Sequence, residues 1–220
     1  MRKIVAFYHL ATMGHYKQVD AEILGLVKHS GLLKELDSLK IGVVGNGDID
    51  LLYEDEKMEI KRLDNSVGAY EYPIMKWLRE YCFENECYVL YFANVGVSHA
   101  KEREDYYPGW RDLCCHFCIM KYKECLKALE MDYNTCSIEW QKYPCPHFSG
   151  SFWWAKSEYI KTLPTLEDAR TYGNEKIKSK RHGTEFWIGM SDNVHQKTFY
   201  QTGHDWRSRP IIDWYKEAMK

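Results

Sequence analysis

The stretch Cys87-Tyr88-Val89-Leu90-Tyr91-Phe92 decides the fold, because it is an unbroken apolar and β-prone run that stops at Ala93-Asn94-Val95-Gly96. A run of this kind is typical of a strand that is buried on both faces of a sheet. We therefore predict a central strand here. The residues that follow it then lie at the carboxyl end of that strand, where open α/β sheets bind their ligands.

The chain before this strand alternates predicted strands and helices. Residues 4–9, 39–45 and 58–63 have strand patterns, while helices are predicted between the first two of these and around Trp77. The order β, α, β, β, α, β indicates an α/β fold with an open, mostly parallel sheet flanked by helices. At 220 residues the chain suits a single domain.

The chain after the central strand gives weaker signals. A polar loop is predicted over residues 98–108, then a long helix, a strand at 134–140 and a short helix that ends before Pro164. Residues 168–183 are polar and basic, which favours a surface loop or a frayed helix. A terminal helix is predicted within residues 205–220.

Composition and charge exclude several classes of protein. The formal net charge is −2, which implies no general attraction to nucleic acid. No apolar run approaches the roughly 20 residues that span a bilayer. The N-terminal residues enter a strand without a small-residue cleavage site, so we expect a cytoplasmic protein without a membrane span.

The eight cysteines are expected to be reduced and mostly buried, because a cytosolic chain of this length needs no disulfides. Four of them fall in one predicted helix, where disulfide geometry is unfavourable. A zinc site built from Cys114, His116, Cys118 and Cys145 is the alternative, although the paired C-x-x-C spacing of zinc proteins does not occur.

An aromatic segment, Pro146-His147-Phe148-Ser149-Gly150-Ser151-Phe152-Trp153-Trp154-Ala155, combines large rings with small polar residues. Rings offer apolar walls to a sugar, and small residues let its hydroxyls approach the backbone. The alternative is a buried strand. If the run is extended, Trp153 and Trp154 face opposite ways, and at most one of them lines a site.

Familiar nucleotide and hydrolase motifs are absent from the sequence. An Asp-x-Asp pair at residues 48 and 50 could hold a divalent metal, but it follows the second strand, earlier than such a pair is expected, and a solvated turn is the favoured interpretation. Glu185, between Thr184 and Phe186, could be a desolvated general base or a glutamate in the first turn of a helix. Arg181 could bind phosphate or belong to a solvated loop.

Several stretches together resemble a family of small glycosyltransferase domains with the GT-A fold, found in large DNA viruses of algae and in bacteria. The resemblance spans most of the chain and is most specific in the aromatic segment. The matching stretches are Phe7-Tyr8-His9, His29-Ser30-Gly31-Leu32, Tyr70-Glu71-Tyr72-Pro73, Val89-Leu90-Tyr91-Phe92, Gly96-Val97-Ser98, Trp110-Arg111, residues 147–155 and Glu185-Phe186-Trp187-Ile188.

This resemblance implies that the two halves of the chain have different roles. Residues 1–98 would bind the nucleotide-sugar donor and residues 99–220 would carry the acceptor site and the catalytic carboxylate, Glu185. The implied donor-binding residues are His9, Thr12, Met13, Gly14, Asn94 and Arg181. The implied sugar- and acceptor-binding residues are His147, Ser149, Gly150, Ser151 and Trp153.

The activity that the resemblance implies is transfer of a hexose or deoxyhexose from a UDP-sugar, or less favourably a GDP-sugar, to a hydroxyl of a glycan, for example on a viral capsid glycoprotein. Family members often carry His-Thr-Lys-Gly where this chain has Ala93-Asn94-Val95-Gly96. No Asp-x-Asp follows the central strand, so a Mn²⁺ or Mg²⁺ cofactor has no assigned ligands. The alternative is a glycan- or nucleotide-binding module that keeps the fold without turnover.

Overall fold

The first and fourth strands form the middle of the sheet and are buried on both sides. The computed structural model describes residues 2–49, 51, 54–97 and 106–201 (for 106–108 the backbone only). In it the fourth strand is apolar throughout, and the first is apolar from Ile4 to Tyr8. The strands are β1 (Lys3–Ala11), β2 (Ser38–Val44), β3 (Met58–Asp64), β4 (Cys87–Ala93), β5 (Thr135–Ser137), β6 (Trp140–Gln141), β7 (His147–Phe148), β8 (Trp153–Lys156) and β9 (Gln196–Thr198).

Seven of these strands form one sheet in the order β3-β2-β1-β4-β8-β5-β9. All of its neighbouring pairs are parallel except those of β8, which runs antiparallel to both β4 and β5. The register places Phe7, Tyr91 and Trp153 side by side across the three central strands. The predicted α/β fold with a mostly parallel sheet is therefore confirmed. Strands β6 and β7 form a separate antiparallel pair.

Helices cover both faces of the sheet, and each face has its own apolar core. One face packs against the helices that follow β1 and β4, and the other packs against those that precede β4 and follow β8. The helices are α1 (Tyr16–His29), α2 (Leu32–Glu35), α3 (Tyr72–Glu84), α4 (Tyr106–Cys115), α5 (Tyr122–Met131), α6 (Ser157–Thr162), α7 (Leu166–Ile177) and α8 (Lys180–Phe186), with 3₁₀ turns at Val67–Ala69 and Trp187–Gly189 and a π turn at His116–Met120.

The prediction of a surface loop or frayed helix over residues 168–183 is correct only in its helical alternative, because the stretch forms two capped helices, α7 and α8, joined at residues 178–179. The N-terminus of each helix is capped by a hydroxyl group that the polar sequence pattern did not reveal. The Thr165 hydroxyl accepts a hydrogen bond from the N–H of Asp168, and the Ser179 hydroxyl accepts one from the N–H of His182. The predicted strand at 134–140 is also interrupted, since Glu139 has a φ of 51° between β5 and β6.

All eight cysteines are unpaired and buried, as predicted. Within the described part of the chain, no three His, Cys, Asp or Glu side chains come together in a way that could hold a metal ion, so the alternative zinc site is not supported. None of the described helices is long and apolar enough to cross a membrane. The predicted loop at 98–108 falls largely, and the predicted terminal helix entirely, outside the described residues.

Candidate active-site cleft

A cleft of about 1200 Å³ opens where β1 and β4 end and where β8 begins. Because β8 is antiparallel, the segment before it reaches the same edge of the sheet as the segments after β1 and β4. The 3₁₀ turn at Val67–Ala69 and the start of α3 form one wall, and α8 forms part of the other. The cleft therefore lies at the ligand-binding edge expected for an open α/β sheet.

Most of the predicted site residues meet in this cleft although they come from distant parts of the chain. The residues that line it are His9, Met13, Asn94, His147, Ser149, Gly150, Ser151, Arg181 and Glu185. Thr12, Gly14 and Trp153 do not line it. The structure thus brings together the predicted donor side, the predicted acceptor side and the predicted catalytic carboxylate.

Thr12 ties the loop after β1 to the loop after β2. Its hydroxyl donates to the carbonyl of Val44 at 3.3 Å and accepts from the N–H of Gly47 at 2.9 Å. The N–H of Thr12 donates to Val44 and that of Met13 donates to Ala11, at 2.9 and 3.0 Å. These two amides already have acceptors within the protein, so neither is free to bind the phosphates of a donor.

Gly14 lies just behind the cleft wall, where two loops meet. It has a φ of 56°, and a Cβ atom at this position would lie 1.9 Å from the carbonyl oxygen of Val97. Only glycine combines this backbone conformation with so close an approach. Gly14 therefore holds the loop after β1 against the loop after β4, and it shapes the cleft without lining it.

Asn94 has a similar bracing role. Its side-chain oxygen accepts from the N–H of Ala11 and its side-chain nitrogen donates to the carbonyl of Ala11, both at 3.0 Å. The side chain is only 3% exposed. The paired bonds join the ends of β1 and β4, so the amide group of Asn94 is already occupied and the residue presents mainly its backbone to the cleft.

Trp153 belongs to the core, and the prediction that it lines a sugar site is corrected by its position. The side chain is 2% exposed and packs 5.3 Å from the ring of Tyr91, its partner across β4 and β8. Trp154 is fully buried on the opposite face and donates its indole N–H to Cys118. Both rings of the aromatic segment therefore stabilise the sheet.

The part of the aromatic segment that enters the cleft is its small, polar start. Ser149 donates its N–H to the carbonyl of Glu139 at 3.0 Å, and His147 donates Nδ1–H to the carbonyl of Cys145 at 2.8 Å. Gly150 has a φ of 80°, and a Cβ there would lie 2.8 Å from the indole nitrogen of Trp110. This close packing holds the loop rigidly against the cleft floor.

Helix α8 supplies both charged side chains that were predicted for the site. It packs tightly on α7, because a Cβ on Gly173 would approach the backbone of Gly183 to 2.5 Å. The guanidinium of Arg181 lies 5.1 Å from the ring centre of Tyr70 on the facing wall. Glu185 is half-buried near the last turn of α8, so the alternative reading as a first-turn glutamate is wrong.

Glu71 is the cleft residue that sequence reasoning missed. It lies at the start of α3, is 8% exposed and accepts a hydrogen bond from the Ser151 hydroxyl at 3.2 Å. A glutamate before Pro73 is also what an ordinary helix start would contain, which hid its role. The one sequence signal is that Glu71 falls in a stretch that matches the resembled family, and in the structure the neighbouring Tyr70 has a φ of 50°, which marks a strained cleft wall.

Burial and charge set the protonation states at the inner end of the cleft. Burial lowers the pKa of His9; the carboxylate of Glu71 opposes this effect, and Arg181 adds to it. Burial also raises the pKa of Tyr91 well above its usual value, and Glu71 and Glu185 raise it further. His9 and Tyr91 are therefore both neutral near pH 7.

The residues considered as metal ligands do not meet in the cleft. Asp48 is exposed on the turn after β2 and does not line the cleft, and its expected partner at position 50 lies outside the described residues. Glu71 and Glu185 are the carboxylates that line it. Binding of a divalent metal ion by this protein stays a prediction.

Comparisons with known proteins agree with this architecture. A family model described as "Domain of unknown function (DUF8361)" matches residues 25–205. A search of curated proteins gave no match. Among solved structures, a 4-diphosphocytidyl-2C-methyl-D-erythritol synthase from Anaerococcus prevotii DSM 20548 is similar, with a TM-score of 0.50 and 13% identity over 100% of this chain and 99% of that one. At this level of identity the likeness shows the fold alone, an α/β arrangement of the GT-A-like kind.

Proposed function

We propose that this chain, which belongs to the family described as domain of unknown function DUF8361, transfers a hexose or deoxyhexose from a nucleotide-diphosphate sugar to a hydroxyl of a glycan. UDP is the preferred nucleotide and GDP the second choice. One observation carries the proposal: a single cleft gathers a cationic side chain, two carboxylates and a small polar loop at the ligand-binding edge of the sheet.

Arg181 is the proposed ligand of the diphosphate. Its guanidinium is exposed on the wall of the cleft, and its fork of N–H donors matches phosphate oxygens. A positive charge there also stabilises the diphosphate as it leaves. His9 is neutral near pH 7 and is therefore better suited to a hydroxyl than to a phosphate.

Glu185 is the proposed catalytic carboxylate. It lies one turn beyond Arg181 on the same helix, so the leaving group and the reacting hydroxyl would be handled from one rigid element. In an inverting enzyme the carboxylate would remove the proton of the acceptor hydroxyl. In a retaining enzyme it would stabilise the positive charge that develops on the sugar. The loop from His147 to Ser151 would hold the sugar and the acceptor.

The resemblance to small GT-A glycosyltransferases in the aromatic segment supports this proposal, including its viral or bacterial setting. The similar solved structure adds support for a nucleotide-derived substrate, since its name contains a diphosphocytidyl group. A second function is favoured by Ala93 and Val95, which stand where members of the resembled family often carry a histidine and a lysine. That function is a binding module that keeps the fold and has no turnover.

Calorimetric titration with UDP, GDP and CDP, each with and without Mn²⁺, tests the donor site. We expect one nucleotide to bind, and Arg181→Gln to weaken that binding by about 10- to 100-fold, as expected for a lost charged hydrogen bond. Lys180→Gln, which removes a neighbouring exposed charge outside the cleft, should leave binding unchanged. If no nucleotide binds under any condition, the proposed donor site is wrong.

Turnover separates the enzyme from the binding module. We expect Glu185→Gln to retain nucleotide affinity and to lose about 10²- to 10⁴-fold in the rate of donor consumption, measured by NMR. Glu175→Gln, on the exposed side of α7, is the matched control and should behave as the wild type. Nucleotide binding without donor consumption in the wild type, with a panel of glycan acceptors, would favour the binding module.

A further inference from the structure

The carboxylate of Glu71 is buried beside the cleft in an unusual state. One oxygen accepts the bond from Ser151, while Oε2 has no hydrogen-bond partner among the described residues. Burying a carboxylate without satisfying it is costly, so such groups are rare unless they serve a purpose. Glu71 and Ser151 both line the cleft, and a hydroxyl that enters at this end meets both side chains.

Two further buried polar atoms near Glu71 have no partner within the described part of the chain. They are Nδ1 of His9 at the end of β1 and the hydroxyl of Tyr91 on β4. His9 is 5% exposed and Tyr91 is fully buried. Glu71 acts electrostatically on both groups, which places these three buried side chains in one environment, and the exposed Arg181 acts on both from the cleft surface. Three unsatisfied atoms from three separate elements thus lie in one environment, and the side chains of His9 and Glu71 line the cleft in front of Tyr91 in the core.

The charges at this end favour a neutral ligand. His9 and Tyr91 are uncharged near pH 7, and Arg181 lies toward the exposed wall where a diphosphate can reach it. An acidic sugar placed beside Glu71 would bring two negative charges together in a partly desolvated site, which is unfavourable. A neutral sugar instead offers hydroxyl hydrogens, which a carboxylate accepts strongly.

We propose that Glu71, fixed by Ser151 and backed by His9 and Tyr91, is the sugar-selecting carboxylate of the cleft, which accepts a hydrogen bond from a neutral hexose or deoxyhexose and excludes acidic sugars. This assignment rests on the proposed function and adds the orientation of the donor in the cleft. The sugar lies at the inner end, against Glu71, and the diphosphate lies outward, against Arg181. His9 then contacts the sugar and not the phosphate.

Binding of intact donors measures this selection directly. The panel contains nucleotide sugars with neutral sugars (UDP-glucose, UDP-galactose, GDP-mannose and GDP-fucose), one with an acidic sugar (UDP-glucuronate), and UDP and GDP alone. For the wild type we expect the best neutral donor to bind at least about tenfold more tightly than UDP-glucuronate. Glu71→Gln, which is nearly isosteric, should bring that ratio within about twofold, because it weakens the neutral donor and admits the acidic one.

Two further variants test the position of the carboxylate and the specificity of the effect. Glu71→Asp keeps the carboxylate but moves it back by the length of one methylene group. This variant should therefore lose affinity for the neutral donor and still exclude UDP-glucuronate. Glu167→Gln removes a surface carboxylate that bonds Tyr72 outside the cleft, and it should change neither affinity. Circular dichroism and thermal melting confirm that each variant is folded.

The outcomes separate the two proposals. Equal binding of UDP-glucuronate and the best neutral donor by the wild type overturns the role of Glu71 and leaves the transferase proposal standing. The same conclusion follows if Glu71→Gln is folded and its ratio is unchanged. If neither the nucleotides nor the nucleotide sugars bind, the proposed function fails and this assignment fails with it.

Discussion

Replacing Gly14 with alanine tests how the loop after β1 is held against the loop after β4. Gly14 has a φ of 56° and Gly31 has a φ of 82°, so alanine would pay a similar conformational cost of about 1–2 kcal/mol at either position. The two sites differ in their surroundings. A Cβ on Gly14 would lie 1.9 Å from the carbonyl oxygen of Val97, whereas a Cβ on Gly31 would have nothing within 4 Å.

The overlap at Gly14 adds to the conformational cost. Forcing extra atoms into a packed site typically costs about 1–3 kcal/mol, and here the obstacle is backbone, which cannot rotate away. We therefore expect Gly14→Ala to lower the free energy of unfolding by about 2–5 kcal/mol and Gly31→Ala by about 1–2 kcal/mol. The effect of alanine on the unfolded chain is the same in both variants and cancels in the comparison.

Urea denaturation measures both free energies, and calorimetric titration with the bound nucleotide measures the effect on the cleft. Since Met13 and Val97 line the cleft on either side of the contact, Gly14→Ala should also weaken nucleotide binding by about tenfold or more. Gly31→Ala should leave it unchanged. If Gly14→Ala is no more destabilising than Gly31→Ala, the contact with Val97 does not hold the two loops together.

Three shorter predictions follow. Burial raises the pKa of Asp20 to about 6, so the unfolding free energy should fall as the pH rises from about 4 to 6, by at most about 3 kcal/mol, and Asp20→Asn should abolish this slope in urea titrations. Trp153→Phe should lower the free energy of unfolding, measured by thermal denaturation, by about 1–3 kcal/mol and leave nucleotide affinity within twofold. A large loss of affinity would show that Trp153 contributes to the binding site. Asn94→Ala removes two bonds to Ala11 and should cost about 1–3 kcal/mol, and an unchanged melting temperature would contradict its bracing role.

The sheet was predictable because its central strands are unambiguous in sequence. Residues 87–92 are apolar throughout, and β1 and β2 show similar runs separated by an amphipathic helix. The pair α7 and α8 was missed because it is held by contacts of Gly173 and Gly183 and by two hydroxyl caps. Glycine contacts leave no hydrophobic periodicity for a sequence pattern to detect.

The cleft was predictable in outline and not in detail. His9 lies near the carboxyl end of β1 and the loop after β4 follows the neighbouring parallel strand, so their meeting at one edge follows from topology. The bond between Ser151 and Glu71 joins residues that are 80 positions apart, and no local pattern specifies it. The same holds for Trp153, whose choice between ligand and core depends on its register with Tyr91.

The reversed direction of β8 has a consequence for how this protein can diversify. The residues that face the cleft from β1 and β4 lie at the carboxyl ends of these strands and in the loops that follow them, whereas His147 to Ser151 precede β8. Lengthening or replacing the segment ahead of β8 would remodel one side of the cleft and leave the chain path through the other side untouched. Sequence changes ahead of β8 could therefore alter the ligand that binds on that side of the cleft. The residues that β1 and β4 contribute to the other side would stay the same.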